Sequence, residues 1–292
     1  MKETTNYYNN LFPDEREREE TTLLQAQAIM LRMLKIVDHI CRKHDIKYWL
    51  CSGTLLGAIR HKGFIPWDDD LDISMMRDDY ERFIEVAKKE FPEDLFLQTH
   101  ETDPTYQYLP LACKIRDEKS CIKTMDDAYQ GKHKGFYVDV FLLDKYPRKK
   151  LSYYWQRLLK EYFYVVCFGF NSRTYRHETL LRRFLSWFHP LFVFLIKDYQ
   201  KKVQSLIRKS RLFSDDCYVG FALDIMFKRV FDYKDIFPLK EAEFEGGKYF
   251  VPNNYAKYLI TCFGEDYMTP PPEEKRKSTH LQSVVYMNKT ME

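Results

Sequence analysis

No Cys-x-x-Cys pair and no paired histidine spacing occurs in this 292-residue chain; its seven cysteines, at 41, 51, 113, 121, 167, 217 and 262, are odd in number and scattered. That argues against a disulfide framework or a structural zinc site and makes reduced cytosolic thiols the expectation. An excess of one charge is also missing: 46 basic residues nearly cancel 43 acidic ones, and only short runs such as KYPRKK at 145–150 stand out. Generic nucleic-acid binding is therefore not expected. The opening MKETTNYYNNLFPDEREREE lacks the apolar core of a secretory signal. The longest oily run, FLSWFHPLFVFLI at 184–196, falls short of the roughly 20 residues that span a bilayer and carries His189 and Pro190 in its middle. It does not read as a transmembrane helix. Buried core helices are the plain account of this run and of the aromatic stretch 153–170; an interfacial surface meeting a membrane-bound substrate is the sharper one. The expected location is cytoplasmic, with peripheral contact at the inner face of the membrane.

What is present suffices for a core, with 45% of residues apolar and 16% aromatic. Ile29, Met33, Ile36, Val37, Ile40 and Cys41 share one helical face, which predicts a helix over 22–44. A short buried strand over 48–52 follows, then Gly53 and a helix-length piece stopping near Gly63. Asp78 or Asp79 is the expected cap of a helix that runs to Phe91 and halts at Pro92. Strands are expected at 95–99, 109–117 and 135–144, a helical aromatic region at 151–212, a strand or hairpin at 243–252 and a helix at 253–263. The fold class is α+β, a mixed sheet flanked by helices, with 1–147 as the main unit, 148–225 as a helical elaboration and 226–292 completing the main unit.

The densest chemistry is FIPWDDDLDISMM, from Phe64 to Met76, with four carboxylates in five positions. From Asp70 onward apolar and polar residues alternate, so Asp70 and Asp72 are expected to share one face of a strand. Like charges that close call for a neutralising cation. A calcium loop starting at Asp68 fails, because Ile73 stands where the tight glycine belongs and Asp79 where the bidentate glutamate belongs. Asp68 to Asp72 also matches the DDxxD spacing of prenyl-diphosphate enzymes, but that motif works on a helix, and Pro66 and the alternation argue against one. A solvated acidic face remains the plain alternative. The reading that joins distant residues is nucleotidyltransferase-like. Gly53 lets backbone approach a phosphate, the following helix start offers free N–H groups, and Asp70 and Asp72 supply hard oxygen ligands for Mg²⁺. Asp139, an ionisable residue amid Val138, Val140 and Phe141, is the expected third carboxylate, against the alternative of a structural pair with a buried arginine.

The stretch WLCSGTLLGAIRHKGFIPWDDDLDI at 49–73 resembles the signature of the LicD family of phosphocholine transferases, related to fukutin-type enzymes. The resemblance continues through KIRD at 114–117, VDVFLLD at 138–144 and FEGGKYFVPNNYAKYLITCFGEDYMTPPPEEKRKSTH at 244–280, and is absent from about 148–225. Leu142 stands where such proteins usually carry proline, and His280, preceded by Thr279, where a histidine pair is common. The resemblance implies a nucleotidyltransferase-type fold that moves phosphocholine or a similar phospho-alcohol from a CDP carrier to a sugar of teichoic acid, lipopolysaccharide or capsule, with release of CMP. It implies Mg²⁺ or Mn²⁺ held by Asp70, Asp72 and Asp139, which are also the catalytic set. By the same resemblance Gly53 and Thr54 would meet the diphosphate, and Arg60, Lys114, Arg116, Asp69 and His280 would complete the substrate-binding set, against a helix-dipole contact for Arg60 and plain solvation for Lys114 and Arg116. For Asp68 and Asp69 three roles stay open: binding a second metal, orienting water or capping the turn. The implied partners are CDP-choline or a related CDP-alcohol and a glycan or glycolipid acceptor. Two readings of other kinds are an NTP-using nucleotidyltransferase acting on a small molecule or RNA, and a non-catalytic glycan-binding protein of the same fold.

Overall fold

The computed structural model describes residues 2–99, 101–106, 113–123, 131–158, 205, 208–209, 212–222, 229–278 and 283–287. Much of the 148–225 segment, including the run at 184–196, lies outside them, as does His280. The chain divides into two compact units, Met1–Phe141 with Asp235–Glu292, and Leu142–Lys234. The fold is α+β with a mixed, partly parallel sheet.

In the first unit, α1 (Lys2–Leu11) precedes α2 (Thr22–Lys43). Thr21 caps α2, its side chain accepting from Leu24 N at 3.3 Å, and the expected apolar stripe is fully buried. Arg16 straps the intervening segment to the core through two bonds to the Asp117 carboxylate, at 2.9 and 2.6 Å. Then follow β1 (Trp49–Leu50), α3 (Ser52–Arg60), β2 (Asp72–Met76) and α4 (Arg77–Glu90). Neither Asp78 nor Asp79 caps α4. Met76 holds the cap position with no side-chain bond, and both aspartates sit in the first turn, where the helix dipole favours negative charge. Asp79 accepts instead from Lys47 N at 3.1 Å.

Next come β3 (Leu95–Gln98), β4 (Cys113–Asp117), β5 (Ser120–Lys123) and β6 (Tyr137–Tyr146). Five strands run in the order β1-β2-β6-β4-β3. The antiparallel register of β4 on β6 sets Lys114 opposite Asp139, and that of β3 on β4 sets Gln98 opposite Lys114. The boundary between the units falls inside β6, where its pairing passes from β4 at 137–140 to β7 (Tyr218–Phe221) at 143–146. In the second unit β7 pairs in turn with β8 (Val230–Asp232).

Back in the first unit, β9 (Lys240–Phe244) and β10 (Gly247–Val251) form the expected hairpin. Glu245 and Gly246 make its two-residue turn at φ of 47° and 71°, the left-handed pair that matches strand twist. The turn has a second task. Glu245 N donates to Lys62 O and Glu245 Oε1 accepts from Phe64 N, both at 2.9 Å, which fixes the loop leading to the aspartates. From the other side Gly57 of α3 packs so close that a Cβ there would meet Gly63 O at 2.5 Å. Helix α5 (Tyr255–Phe263), capped by Asn254, and β11 (Ser283–Met287), paired with β5, complete this unit.

Candidate active site

Cys51 follows β1 and donates its amide to Asp72 O at 3.2 Å. Ser52 then takes a positive φ of 48° and turns the chain into α3. The helix thus begins at Ser52, one residue before the expected Gly53 turn, and Gly53 and Thr54 lie in its first turn. A Cβ on Gly53 would stand 2.9 Å from Asp68 Oδ2 and 3.8 Å from Asp70 Oδ1. The free N–H end of the helix therefore abuts carboxylates, where its partial positive charge is best used. Thr54 is buried, and its hydroxyl accepts from Asp72 N at 2.8 Å. That bond ties the helix to the first residue of β2.

Strand β2 starts at Asp72, so Asp70 lies in the loop before it rather than on a strand face as the alternation suggested. Leu71 O already accepts from Asp139 N at 2.9 Å, which draws the loop to β6. The carboxylates nevertheless act on one another. Asp68 is pushed up to about 8, first by burial and then by the charge of Asp70, with which it shares a hydrogen bond. Burial, then Asp70 and Asp139, push Asp72 well above the usual carboxylate range. Burial also raises Asp139, against the pull of Lys114. Asp69 is buried and bears on Asp68.

Lys114 is the counter-charge. Its Nζ lies 2.5 Å from Asp139 Oδ1 and 3.4 Å from the centre of the Tyr137 ring. Burial pushes this ammonium below its ordinary value while Asp139 holds it up, the balance expected of an ion pair with little solvent around it. The alternative foreseen for Asp139, a pair with a buried cation, is thus present, with lysine in place of arginine. Arg116, two residues along the same strand face, is buried, donates to Gln98 Oε1 at 2.7 Å and Gly135 O at 2.9 Å, and lies 4.9 Å over the Tyr137 ring. Its fork is bonded within the fold. Tyr137 was not singled out in the sequence; its place two residues before Asp139 on β6 was the available signal.

Arg60, at the end of α3, donates to Tyr267 O at 3.0 Å and to His61 Nε2 at 2.9 Å. Burial and then the charge of Arg276 lower its pKa. Arg276 itself lies 5.3 Å over the Trp67 ring, and Ser278 donates to Trp67 O at 3.1 Å. The segment after α5 therefore lies along the loop that carries the aspartates and adds a second arginine. No periodicity marks Arg276, so only its position within the last resemblance block could have pointed to it. Gln27 of α2 supports the same loop, donating to Asp68 O at 2.9 Å.

Carboxylate oxygens are the right donors for a hard divalent cation, and Asp68, Asp72 and Asp139, all raised with Lys114 as the near counter-charge, form a cluster whose ionised form such an ion would stabilise. Among the described residues no three His, Cys, Asp or Glu side chains already stand as a ligand set, and Asp139 is engaged by Lys114. The fit is one of donor type.

A mixed sheet that brings a helix N-terminus against clustered carboxylates is the arrangement of a nucleotidyltransferase-like domain. Residues 45–145 match the family described as LicD/FKTN/FKRP, nucleotidyltransferase domain. The chain is 34% identical over 269 residues, 89% of its length, to 97% of a Haemophilus influenzae protein named lipopolysaccharide cholinephosphotransferase LicD. It is 35% identical over 121 residues, 40% of each chain, to an uncharacterised Rickettsia prowazekii protein. Over 34 residues, 12% of this chain and 7% of the other, it is 50% identical to human ribitol 5-phosphate transferase FKRP. The chain belongs to the LicD family.

Proposed function

We propose that this protein transfers phosphocholine, or a phospho-alcohol like it, from a CDP-activated donor to a sugar hydroxyl of lipopolysaccharide or a related surface glycoconjugate, releasing CMP. The observation that carries the reading is its likeness along nearly the whole length of the Haemophilus influenzae lipopolysaccharide cholinephosphotransferase. The site supports it. The N-terminus of α3, whose free N–H groups lie beside the carboxylate cluster, suits the diphosphate. Arg60 and Arg276 bring two positive charges close enough to act on one another beside the loop that carries the aspartates, which suits phosphate oxygens. The acceptor oxygen attacks the phosphorus bearing the alcohol, a new O–P bond forms, and the bond to CMP breaks in line. A carboxylate of the cluster, in its ionised form, takes the hydroxyl proton. Asp70, Asp72 and Asp139 would hold Mg²⁺ or Mn²⁺, which supplies charge neutralisation on the diphosphate.

Incubation with CDP-choline or CDP-ethanolamine, Mg²⁺ and lipopolysaccharide tests this by mass spectrometry. The expected result is an acceptor heavier by one phospho-alcohol together with free CMP. Release of pyrophosphate from an NTP with no CMP formed would overturn it, as would full turnover by folded Asp70→Asn and Asp72→Asn variants.

A further inference from the structure

In the second unit, residues 150–158 are helical, and one face of this helix is held down. Tyr153, partly buried, meets Tyr146 and Tyr218 edge to face at 6.3 and 6.0 Å. Arg148 secures the entry, pairing with Asp216 and Asp232 and lying 4.8 Å over the Tyr218 ring. Away from Tyr153, Leu151, Tyr154, Trp155 and Leu158 follow the i, i+3, i+4, i+7 spacing of a single helix face. They are 85, 61, 60 and 48% exposed. Two aromatic rings and two leucines side by side in water mark a surface that meets something apolar. Lys149 and Lys150, at the start of the same helix, are exposed as well. The sequence concentrates positive charge here: residues 148–211 hold 15 Lys and Arg against 3 Asp and Glu, whereas the rest of the chain holds 31 against 40. The overall near-neutrality thus conceals a strongly basic stretch in an otherwise acidic protein.

We propose that this helix face docks on an anionic lipid surface. Tyr154 and Trp155 seat at headgroup depth, where a ring with one polar edge is most stable, while Leu151 and Leu158 enter the acyl boundary. Lys149 and Lys150 meet anionic headgroups. A nucleic acid would answer to the charge but not to the leucines, which neither stack nor hydrogen-bond. The inference stands apart from the proposed reaction, because it is measured without donor or acceptor.

The test is co-sedimentation of the full chain with phosphatidylglycerol vesicles and, separately, with phosphatidylcholine vesicles. Binding to the first, weakened by salt, and little binding to the second are expected. The Tyr154→Ser/Trp155→Ser variant, and separately Lys149→Glu/Lys150→Glu, should each bind at least about tenfold more weakly with an unchanged melting temperature. Absence of binding to phosphatidylglycerol, equal binding to both vesicles, or undiminished binding by both variants would overturn the proposal. So would RNA displacing the protein from vesicles, which makes the basic surface a nucleic-acid site. A serine variant that melts far below the parent also overturns it, since that face is then covered by the protein itself.

Discussion

Lys114 stands 2.5 Å from Asp139 and 3.4 Å over Tyr137, so one ammonium with almost no solvent around it serves a carboxylate and an aromatic face at once. Replacing it by Lys114→Met leaves Asp139 beside Asp70 and Asp72 with its nearest counter-charge gone. The expected loss is about 3 kcal/mol in urea unfolding, the usual result of breaking a buried pair from one side. Adding Asp139→Asn should recover part of that loss, and a double variant that is the sum of the two singles would show the pair to be uncoupled.

The carboxylate cluster sets a pH dependence. Asp68, pushed up to about 8, keeps its proton in the fold through a range where the unfolded chain, with its carboxyl near 3.8, has lost it. Asp72 and Asp139 are raised in the same direction. The folded state binds more protons than the unfolded one, so stability falls as pH rises from about 4 toward about 8. Melting curves without divalent ions should show that decline, and Mg²⁺ should restore the melting temperature at the alkaline end. A melting temperature that rises over this window, or no response to Mg²⁺ or Mn²⁺, would count against a cation at the cluster.

Thr54→Val keeps the shape of a buried side chain but leaves Asp72 N without its partner at 2.8 Å. An unsatisfied buried N–H costs about 1–3 kcal/mol, and the start of β2 should loosen with it. Turnover is expected to drop more than stability. Gly53→Ala places a methyl 2.9 Å from Asp68 Oδ2, which shifts that carboxylate beside the helix N-terminus proposed for the diphosphate. Its expected signature is a raised KM for the donor.

Arg16→Met removes a buried fork that holds the Asp117 carboxylate at 2.6 and 2.9 Å. Asp117 ends the strand that carries Lys114 and Arg116. A loss of about 3–5 kcal/mol is expected from the abandoned charge, read as a lowered denaturation midpoint.

Arg60→Gln and Arg276→Gln each relieve the repulsion between two arginines. Neither should lower the melting temperature by more than a few degrees, and each should raise KM for the CDP donor with kcat little changed. Unaltered KM in both would remove the arginines from the donor site.

Much of this was legible in the chain. The helix at 22–44 showed itself through a complete apolar stripe, the strand expected at 135–144 is observed at Tyr137–Tyr146, and the strand or hairpin expected at 243–252 is the hairpin Lys240–Val251. Alternation misplaced Asp70, because a pattern of period two says which residues could share a face but not where the ladder begins. That was set by the bonds from Asp72 N to Thr54 and from Asp139 N to Leu71 O. The cap expected of Asp78 or Asp79 failed because α4 begins at Arg77, which puts both inside its first turn; Asp79 accepts from Lys47 N of another segment.

Local sequence determined which carboxylates and glycines would serve a phosphate site, since motif spacing and residue type are properties of adjacent positions. Only the tertiary structure decided their surroundings. Antiparallel register set Lys114 opposite Asp139, burial raised the acids and lowered the lysine, and a segment 200 residues further on laid Arg276 over Trp67. Solvent exclusion and contacts between distant strands are sums over the whole fold, and no short stretch of sequence contains them.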